Sequence, residues 1–221
     1  MTDCHCPLCG HNAPAFFPFG NPPRPNAKCP RCGALERHRF IWAFLTARKL
    51  LRSGMVVVHF APRQCLANAI HAVVGAGYAT ADKEPGGADQ VLDLTALAMP
   101  DKSVDGLIAS HVLEHIEDDA QALREIRRML RPGGWALLIV PQRLGRPTFE
   151  DPVAAASGAA ARNEAFGHPD HVRWYGGDFA DRIAGAGLEV EAFDPVGCLG
   201  DAKATRQALG TDTIHLCQRG K

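Results

Sequence analysis

Two short cysteine motifs near the N-terminus have the spacing of a metal site. Residues 6–10 read CPLCG and residues 29–33 read CPRCG, so the pattern C-P-x-C-G occurs twice. Two such pairs of thiolates satisfy one tetrahedral zinc ion, and the glycine after each pair lets backbone amides turn toward the sulfurs. We predict a structural zinc held by four residues, Cys6, Cys9, Cys29 and Cys32. Cys4 and His5 are possible competing ligands.

The chain between the two motifs, which includes FFPFGNPPRPN, is too poor in core-forming residues to fold by burial alone. Metal binding would therefore supply most of the local folding energy. A redox pair or chance spacing is the alternative, but the duplication argues against both. With eight cysteines, a reducing compartment and a metal site fit better than disulfides. Cys198 and Cys217 are expected to be ordinary thiols.

Strands and helices alternate after residue 54. We predict strands at VVVHF, GYATAD, ADQVLDL, VDGLIAS and GWALLIV, with helices at QCLANAIHAVV and DDAQALREIRRML. Such alternation is typical of an α/β fold with a mainly parallel sheet. Ligands of these sheets bind beyond the carboxyl ends of the strands. The residues in that position are His59 to Arg63, Asp82, Asp93, Leu94, Ser110, His111 and those from Pro141 onward.

The residues before this alternating region are predicted to form a separate module and a linking helix. Residues 1–34 form the predicted zinc module, residues 35–54 a linking helix, and residues 55–221 the α/β domain. The helix is predicted from the apolar spacing in ALERHRFIWAFLTARKLLR. Residues 21–52 hold eight Lys or Arg and one acid, Glu36, which could contact a phosphate, a carboxylate or RNA, or could simply face solvent.

Composition narrows the function classes. The 221 residues carry 24 basic and 24 acidic side chains, and a net charge of zero argues against a general nucleic-acid binder. No apolar run has the length of a membrane span, and the N-terminus lacks the pattern of a secretory leader. We therefore expect a cytoplasmic protein. The sequence does not indicate an oligomeric state.

Residues 93–141 carry a family resemblance. The stretch that begins at Asp93 contains DLTALAMP at residues 93–100, followed by an LEH turn at residues 113–115. It continues to LRPGGW at residues 130–135, which is predicted to turn into a strand. In this order they resemble the central half of class I S-adenosylmethionine-dependent methyltransferases. The zinc motifs, LERHR and FGHPDHVRWYG further resemble a bacterial subfamily of small methyltransferases, so the resemblance spans nearly the whole chain. It implies a Rossmann-like fold with a seven-stranded sheet.

The resemblance also assigns cofactor-binding positions. Asp82 stands where the family places an acid that binds the ribose hydroxyls, and Glu84 is the alternative residue for this role. The structural alternative for Asp82 is a carboxylate that caps a turn. Asp93 and Leu94 match the position that contacts adenine. Ser110 and His111 would close the pocket near the methionine end. Asp105 is expected to fix a strand edge.

The loop after the first α/β strand departs from the family because it contains no glycine. Ala61, Arg63 and Cys65 stand at the three usual glycine positions, and His59 replaces the usual acid. S-adenosylmethionine carries no phosphate, so the loop needs only room and donors for a carboxylate. Ala61 and Pro62 could leave that room, and Arg63 could pair with the carboxylate.

Methyl transfer is a direct displacement, so the enzyme aligns acceptor and methyl group and removes a proton from a hydroxyl or amine acceptor. Histidine is the natural base near neutral pH. We select His111 and His171, ahead of His115 and His168. Residues 141–167 have the length and composition of a flap over the substrate, and TFED at residues 148–151 could bind the acceptor from it.

These features predict a zinc-containing methyltransferase that uses S-adenosylmethionine and acts on oxygen or nitrogen of a small or glycan/lipid-like acceptor. One alternative is an RNA methyltransferase in which the zinc module grips RNA. The net charge, and SHVLEH in place of a base-flipping N-P-P-Y-like motif, count against nucleic acid as the partner. The other alternative is a non-catalytic protein that keeps the fold as a scaffold.

Overall fold

The structure is a computed structural model that describes residues 3–220. Its strands are β1 (Cys4–His5), β2 (Asn12–Ala13), β3 (Phe17–Phe19), β4 (Arg24–Lys28), β5 (Val57–Phe60), β6 (Tyr78–Asp82), β7 (Gln90–Val91), β8 (Val104–Ser110), β9 (Leu130–Ile139), β10 (Phe149–Glu150), β11 (Arg173–Trp174), β12 (Glu189–Phe193) and β13 (Ile214–Gln218). Its helices are α1 (Glu36–Ala47), α2 (Gln64–Val74), α3 (Asp119–Met129), α4 (Pro152–Ala156), α5 (Ala159–Phe166), α6 (Phe179–Gly185), α7 (Pro195–Leu199) and α8 (Asp201–Gln207). Short 3-10 helices lie at Gly75–Gly77 and Leu113–His115.

A seven-stranded sheet has the order β12-β13-β9-β8-β5-β6-β7. The pairs β5/β8, β8/β9 and β6/β7 are parallel, and β13 runs antiparallel to β9. The predicted α/β, Rossmann-like, mainly parallel fold is therefore confirmed. The strand order reverses beside β5, because its sequence successor β6 lies on one side and β8 on the other. That reversal marks the edge at which such sheets bind ligands.

Helix α3 shows how the local sequence determines an element. The side chain of Asp118 caps its start by accepting a hydrogen bond from Gln121 N at 2.8 Å. Leu123 and Ile126, three residues apart, are fully buried in the main hydrophobic core. The helix ends at Met129, and the strand β9 begins at the next residue.

The chain forms two compact units. The first comprises the chain up to Met55 together with Pro62–Tyr78 and Phe193–Ile214; the second comprises Val56–Ala61, Ala79–Ala192 and the chain from His215. In the first unit, α1 packs against both α2 and α7, and α7 packs against α8. The second unit holds most of the sheet and its core. The first unit is thus assembled from three separate stretches of sequence.

Arg39 in α1 is the largest fully buried side chain of the described residues. Its guanidinium donates to five backbone carbonyls, namely Asn26 O, Ala27 O, Ala34 O, Gln207 O and Ala208 O. The ring of Phe16 lies 4.9 Å from the guanidinium carbon. Burial lowers the pKa of Arg39, while the cysteine thiolates act in the opposite direction. Arg39 therefore joins the zinc module to α8 through hydrogen bonds that use all five of its N–H donors.

Two segments differ from their predicted form. Helix α1 ends at Ala47, before the end of the apolar pattern, and Lys49 then takes a left-handed φ of 53°. Residues 141–167 contain β10, α4 and α5, and β10 pairs with β11. The proposed flap is thus a folded segment, and its mobility stays a prediction. Within residues 3–220, the helices are all too short or too polar to span a bilayer.

His59 in β5 gives the fold a testable pH dependence. Burial lowers the pKa of this nearly inaccessible imidazole to about 3. An unfolded chain binds a proton at His59 near pH 6.5, but the folded chain does not until about pH 3. The free energy of unfolding should therefore fall as the pH drops below about 6.5, with a slope approaching about 1.4 kcal/mol per pH unit for this residue.

Chemical denaturation of wild type and His59→Gln between pH 7 and pH 5 checks this expectation. The variant should show a shallower slope, and His71→Gln, which replaces an exposed histidine of α2, should retain the wild-type slope. An unchanged slope in His59→Gln would contradict the assignment. His215, whose pKa burial lowers to about 4, contributes a residual slope of the same sign in all three proteins.

Candidate functional site

The four predicted zinc ligands lie together. Their sulfurs are within 4.8 Å of one another, and both Cys6 Sγ to Cys32 Sγ and Cys9 Sγ to Cys29 Sγ measure 3.7 Å. A tetrahedral ion with Zn–S bonds of about 2.3 Å requires sulfurs roughly 3.8 Å apart, so the set fits zinc. Gly10 and Gly33 have left-handed φ values of 69° and 71°. The predicted turn after each pair is confirmed.

Without a metal ion, burial disfavours the thiolate form of two of the four cysteines. Burial raises the pKa of Cys6 to about 12 and also raises that of Cys32. Backbone amides of Leu8 and Cys9 favour the thiolate of Cys6, but they do not outweigh burial. A bound divalent ion would reverse this balance. Cys4 is buried in the same small cluster, but it does not belong to the four-sulfur group.

A cavity of about 770 Å³ lies in the second unit at the carboxyl edge of the sheet. Four successive neighbours in the sheet contribute residues that follow their ends: Ala61 after β5, Asp82 at the end of β6, Asp93 after β7 and His111 after β8. Thr95, Val112, Ile116 and Gln121 complete part of its wall. The volume suits a nucleoside-sized ligand. The topology and the cavity thus identify the same edge.

The glycine-free loop retains a glycine-like backbone at its first position. Ala61 has a φ of 45°, and its N–H donates to Ala81 O at 2.9 Å. Its small side chain lines the cavity. Pro62 and Arg63 belong to the first unit, where Arg63 precedes α2 and its Nη2 lies 3.7 Å from where a Cβ on Gly33 would stand. His59 is buried inside the sheet.

The two predicted acids on the cavity wall both form turns. Asp82 Oδ1 accepts a hydrogen bond from Glu84 N at 3.1 Å. Asp93 Oδ1 accepts from Thr95 N and Thr95 Oγ1, and Lys83 Nζ lies 3.3 Å from Asp93 Oδ2. The Thr95 hydrogen bonds and Lys83 hold the pKa of Asp93 below its usual range. The neighbouring Leu94 is buried and lines the same wall.

His111 follows β8 in a left-handed conformation, with a φ of 58°. Its Nδ1 lies 3.3 Å from Oε1 of Glu114, whose carboxylate is completely buried. Among the described residues, neither oxygen of Glu114, nor Ser110 Oγ, nor His111 Nε2 has a hydrogen-bond partner. Backbone strain and unpartnered buried polar atoms concentrate at functional sites. The sequence analysis did not select Glu114, because nothing in the LEH turn indicates that its acid is buried.

Three histidines from two loops form a second group, the histidine cluster (His115, His168 and His171). Each offers a ring nitrogen within 4.8 Å of the others. The His168 and His171 rings stack with centroids 4.5 Å apart, and the His115 ring lies edge-on to His171 at 4.8 Å. Burial lowers the pKa of His171 to about 4, against the charge of Glu114. His115 also lines the cavity.

Other polar candidates have structural partners. Thr148 N and Oγ1 both donate to Asp178, and Glu150 pairs with Arg173 and Arg182. Asp151 caps α4. Asp105 accepts from Val56 N at 2.8 Å and pairs with Arg131, which places it at the strand edge. The three polar side chains of TFED thus have partners within the protein.

Comparison with known proteins relates this site to a family. A family model described as a methyltransferase domain matches residues 53–138, which include β5 to β8 and most of β9. A relative from Mycolicibacterium smegmatis, named as a probable S-adenosylmethionine-dependent methyltransferase, is 42% identical over 64 residues. That alignment covers 27% of this chain and 25% of the relative, so the similarity spans about a quarter of that protein.

Two solved structures share the fold at low sequence identity. One chain in a complex of the Haloferax volcanii Trm112 methyltransferase activator with a protein described as a methyltransferase aligns with a TM-score of 0.59 and 19% identity, over 84% of this chain and 91% of that one. The S-adenosylmethionine-dependent methyltransferase of Mesorhizobium loti aligns with a TM-score of 0.53 and 18% identity, over 81% and 100%. Residues 53–138 thus match a methyltransferase domain, and the chain shares its fold with solved methyltransferase structures.

Proposed function

We propose that the protein transfers a methyl group from S-adenosylmethionine to an oxygen or nitrogen atom of a small-molecule or glycan/lipid-like acceptor. The observation that carries this proposal is the cavity at the carboxyl edge of the sheet. Ala61, Asp82, Asp93 and His111 follow neighbouring strands and line it together. The family match supplies the reaction class, because fold alone does not establish an activity.

The residues of the cavity fit the cofactor. Asp82 Oδ1 is occupied by Glu84 N, which leaves Oδ2 to accept hydrogen bonds from ribose hydroxyls. Asp93 is held ionised and oriented by Thr95, so its carboxylate can accept from an adenine amine. The left-handed Ala61 brings backbone to the cavity wall where the family uses glycine. His59 and Ser110 support the ends of β5 and β8 beside this cavity.

S-adenosylmethionine supplies an electrophilic methyl group on a sulfonium, so the protein has to orient an acceptor and remove its proton. His111 Nε2 has no hydrogen-bond partner among the described residues, and we assign it to accept that proton. Glu114, 3.3 Å from Nδ1, stabilises the resulting imidazolium and fixes the ring. Glu114 is thus a positioning residue. His171 remains the second candidate base.

Titration calorimetry with S-adenosylhomocysteine tests the cofactor site without an acceptor. We expect wild type to bind with a micromolar or lower Kd and Asp82→Ala to bind about 10–100-fold more weakly, because the ribose loses charge-assisted hydrogen bonds. Asp181→Ala, which removes an exposed acid of α6, is the matched control and should bind like wild type. No heat of binding to folded wild type would contradict the proposal and favour the non-catalytic scaffold.

RNA is the second candidate acceptor, and one feature of the zinc module favours it. The hairpin of β3 and β4 exposes Phe17 and Phe19, and Lys28 Nζ lies 5.7 Å from the Phe19 ring centroid. Aromatic rings beside a cation are a stacking platform for single-stranded RNA. A gel shift that weakens steeply with salt and is lost in Phe19→Ala would support this candidate over a small acceptor.

A further inference from the structure

A set of buried polar atoms beside the cavity lacks partners. Among the described residues, Glu114 Oε1 and Oε2, His111 Nε2 and His171 Nδ1 are buried without a hydrogen bond. An isolated buried carboxylate is costly unless a cation or several donors accompany it. Glu114 directly precedes His115, and its backbone carbonyl accepts a hydrogen bond from Val172 N, next to His171 in the chain. A cation near Glu114 would offset this cost, in addition to His111 Nδ1 at 3.3 Å from Oε1.

We propose that the histidine cluster, His115, His168 and His171, binds a divalent transition-metal ion of the zinc type, whose charge is balanced by the buried carboxylate of Glu114. Imidazole nitrogens are favoured ligands for zinc and its neighbours. The three ring nitrogens lie within 4.8 Å of one another, so small side-chain rotations bring them onto one ion. This site is separate from the four cysteines.

Hydrogen bonds already hold the two loops of the cluster together. Val172 N donates to Glu114 O at 2.9 Å, which ties the loop of His171 to the turn of His115. The buried Arg173 donates from Nη1 to Leu113 O and Ile116 O, and from Nη2 to Glu117 O. These contacts restrain the backbone on both sides of the site. A metal would therefore meet ligands that are largely in place.

The ring of His115 is oriented as a metal ligand. Its Nδ1 lies 3.1 Å from Asp170 O, so Nδ1 carries the proton that it donates to this carbonyl, and Nε2 keeps its lone pair. Histidine ligands usually donate their second ring nitrogen to a carbonyl or carboxylate in this way. His168 Nδ1 accepts only a long hydrogen bond, 3.3 Å, from Asp170 N, which a metal can displace.

The site is open to ligands. His115 and His168 are exposed and His171 is partly buried, so three protein ligands would leave a coordination position accessible. Three histidines with an open position are the pattern of catalytic zinc. Because His115 also lines the cavity, a ligand in that position could be the oxygen or nitrogen of an acceptor. This use of the ion rests on the proposed function, whereas the metal site does not.

Calorimetric titration with zinc chloride tests the site, using the full chain with its cysteine site already loaded. We expect one further equivalent per chain in wild type. His168→Gln and His171→Gln should weaken that equivalent by at least about tenfold, since even outer-shell changes can cost that much. Glu114→Gln, which removes only the charge, should also weaken it. His71→Gln, an exposed histidine of α2, is the matched control and should bind like wild type.

Cobalt substitution gives an independent readout of the ligands. Cobalt in the second site should show absorption typical of nitrogen and oxygen ligands, without the thiolate-to-metal band of the cysteine site. Absence of a further zinc equivalent, or an equivalent unchanged in both histidine variants, would overturn the proposal and leave water as the partner of the buried atoms. Binding of S-adenosylhomocysteine is measured separately, so failure of one proposal does not imply failure of the other.

Discussion

Replacement of Arg39 by methionine should lower the free energy of unfolding of the first unit by about 3–5 kcal/mol. Methionine fills similar space but donates no hydrogen bonds, so five buried or partly buried carbonyls would lose the Arg39 donor, and Ala34 O would keep Cys29 N as a donor. Each unsatisfied buried carbonyl costs on the order of 1 kcal/mol or more. The loss also removes the positive charge beside the thiolates of the zinc module.

Zinc release into a chromogenic chelator, followed across a urea series, reports this unit specifically. Arg39→Met should release zinc at much lower urea than wild type. Arg39→Lys should be intermediate, because an ammonium keeps the charge but cannot reach five acceptors. Arg52→Met replaces an exposed arginine of the same unit and should behave like wild type. Equal urea midpoints for Arg39→Met and wild type would show that the buried guanidinium is dispensable.

Loss of the cysteine-bound metal should have an even larger effect on the zinc module. Among residues 3–220, its hydrophobic cluster contains five buried residues, namely Cys4, Cys6, Phe16, Cys29 and Ala34, and three of them are cysteines. Structural zinc contributes about 10–16 kcal/mol in small modules, far more than this burial. Cys29→Ser should therefore unfold residues 3–34 and abolish the tightly held zinc equivalent.

Metal analysis after dialysis and hydrogen exchange of the module check the Cys29→Ser result. Cys198→Ser, a half-buried thiol of α7 in the same unit, should retain zinc and protected amides. The α/β core should stay protected in both variants, because its buried cluster contains no residue of the module. A protected module in zinc-free Cys29→Ser would contradict a structural role for the metal.

The sequence predicted those elements whose structure depends on residues that are close together along the chain. The spacing of apolar residues predicted α2 at residues 64–74, and the structure has these limits. The duplicated C-P-x-C-G motif predicted the four-sulfur cluster, because each motif forms a complete turn from neighbouring residues. The order of strands and helices was enough to predict a mainly parallel sheet.

Prediction failed where distant segments meet. Nothing in LERHR indicates that Arg39 is buried, because its acceptors at residues 207 and 208 lie far along the chain. Glu114 is buried, and its carbonyl accepts from Val172 N of a loop far along the chain, so the LEH turn alone gives no signal of this burial. The histidine cluster could have been suspected from HPDH alone, which places two histidines three residues apart. Its third member comes from another loop.

The contact between Arg39 and Gln207 spans 168 residues, and this separation has a consequence for biosynthesis. At roughly 5–20 residues per second, a ribosome needs on the order of 10–30 seconds to make the chain between the two. Until then the nascent guanidinium lacks two of its five acceptors. The zinc module, which is made before α8, therefore reaches its final stability only after α8 has been made, and early capture of zinc would protect it from degradation during that delay.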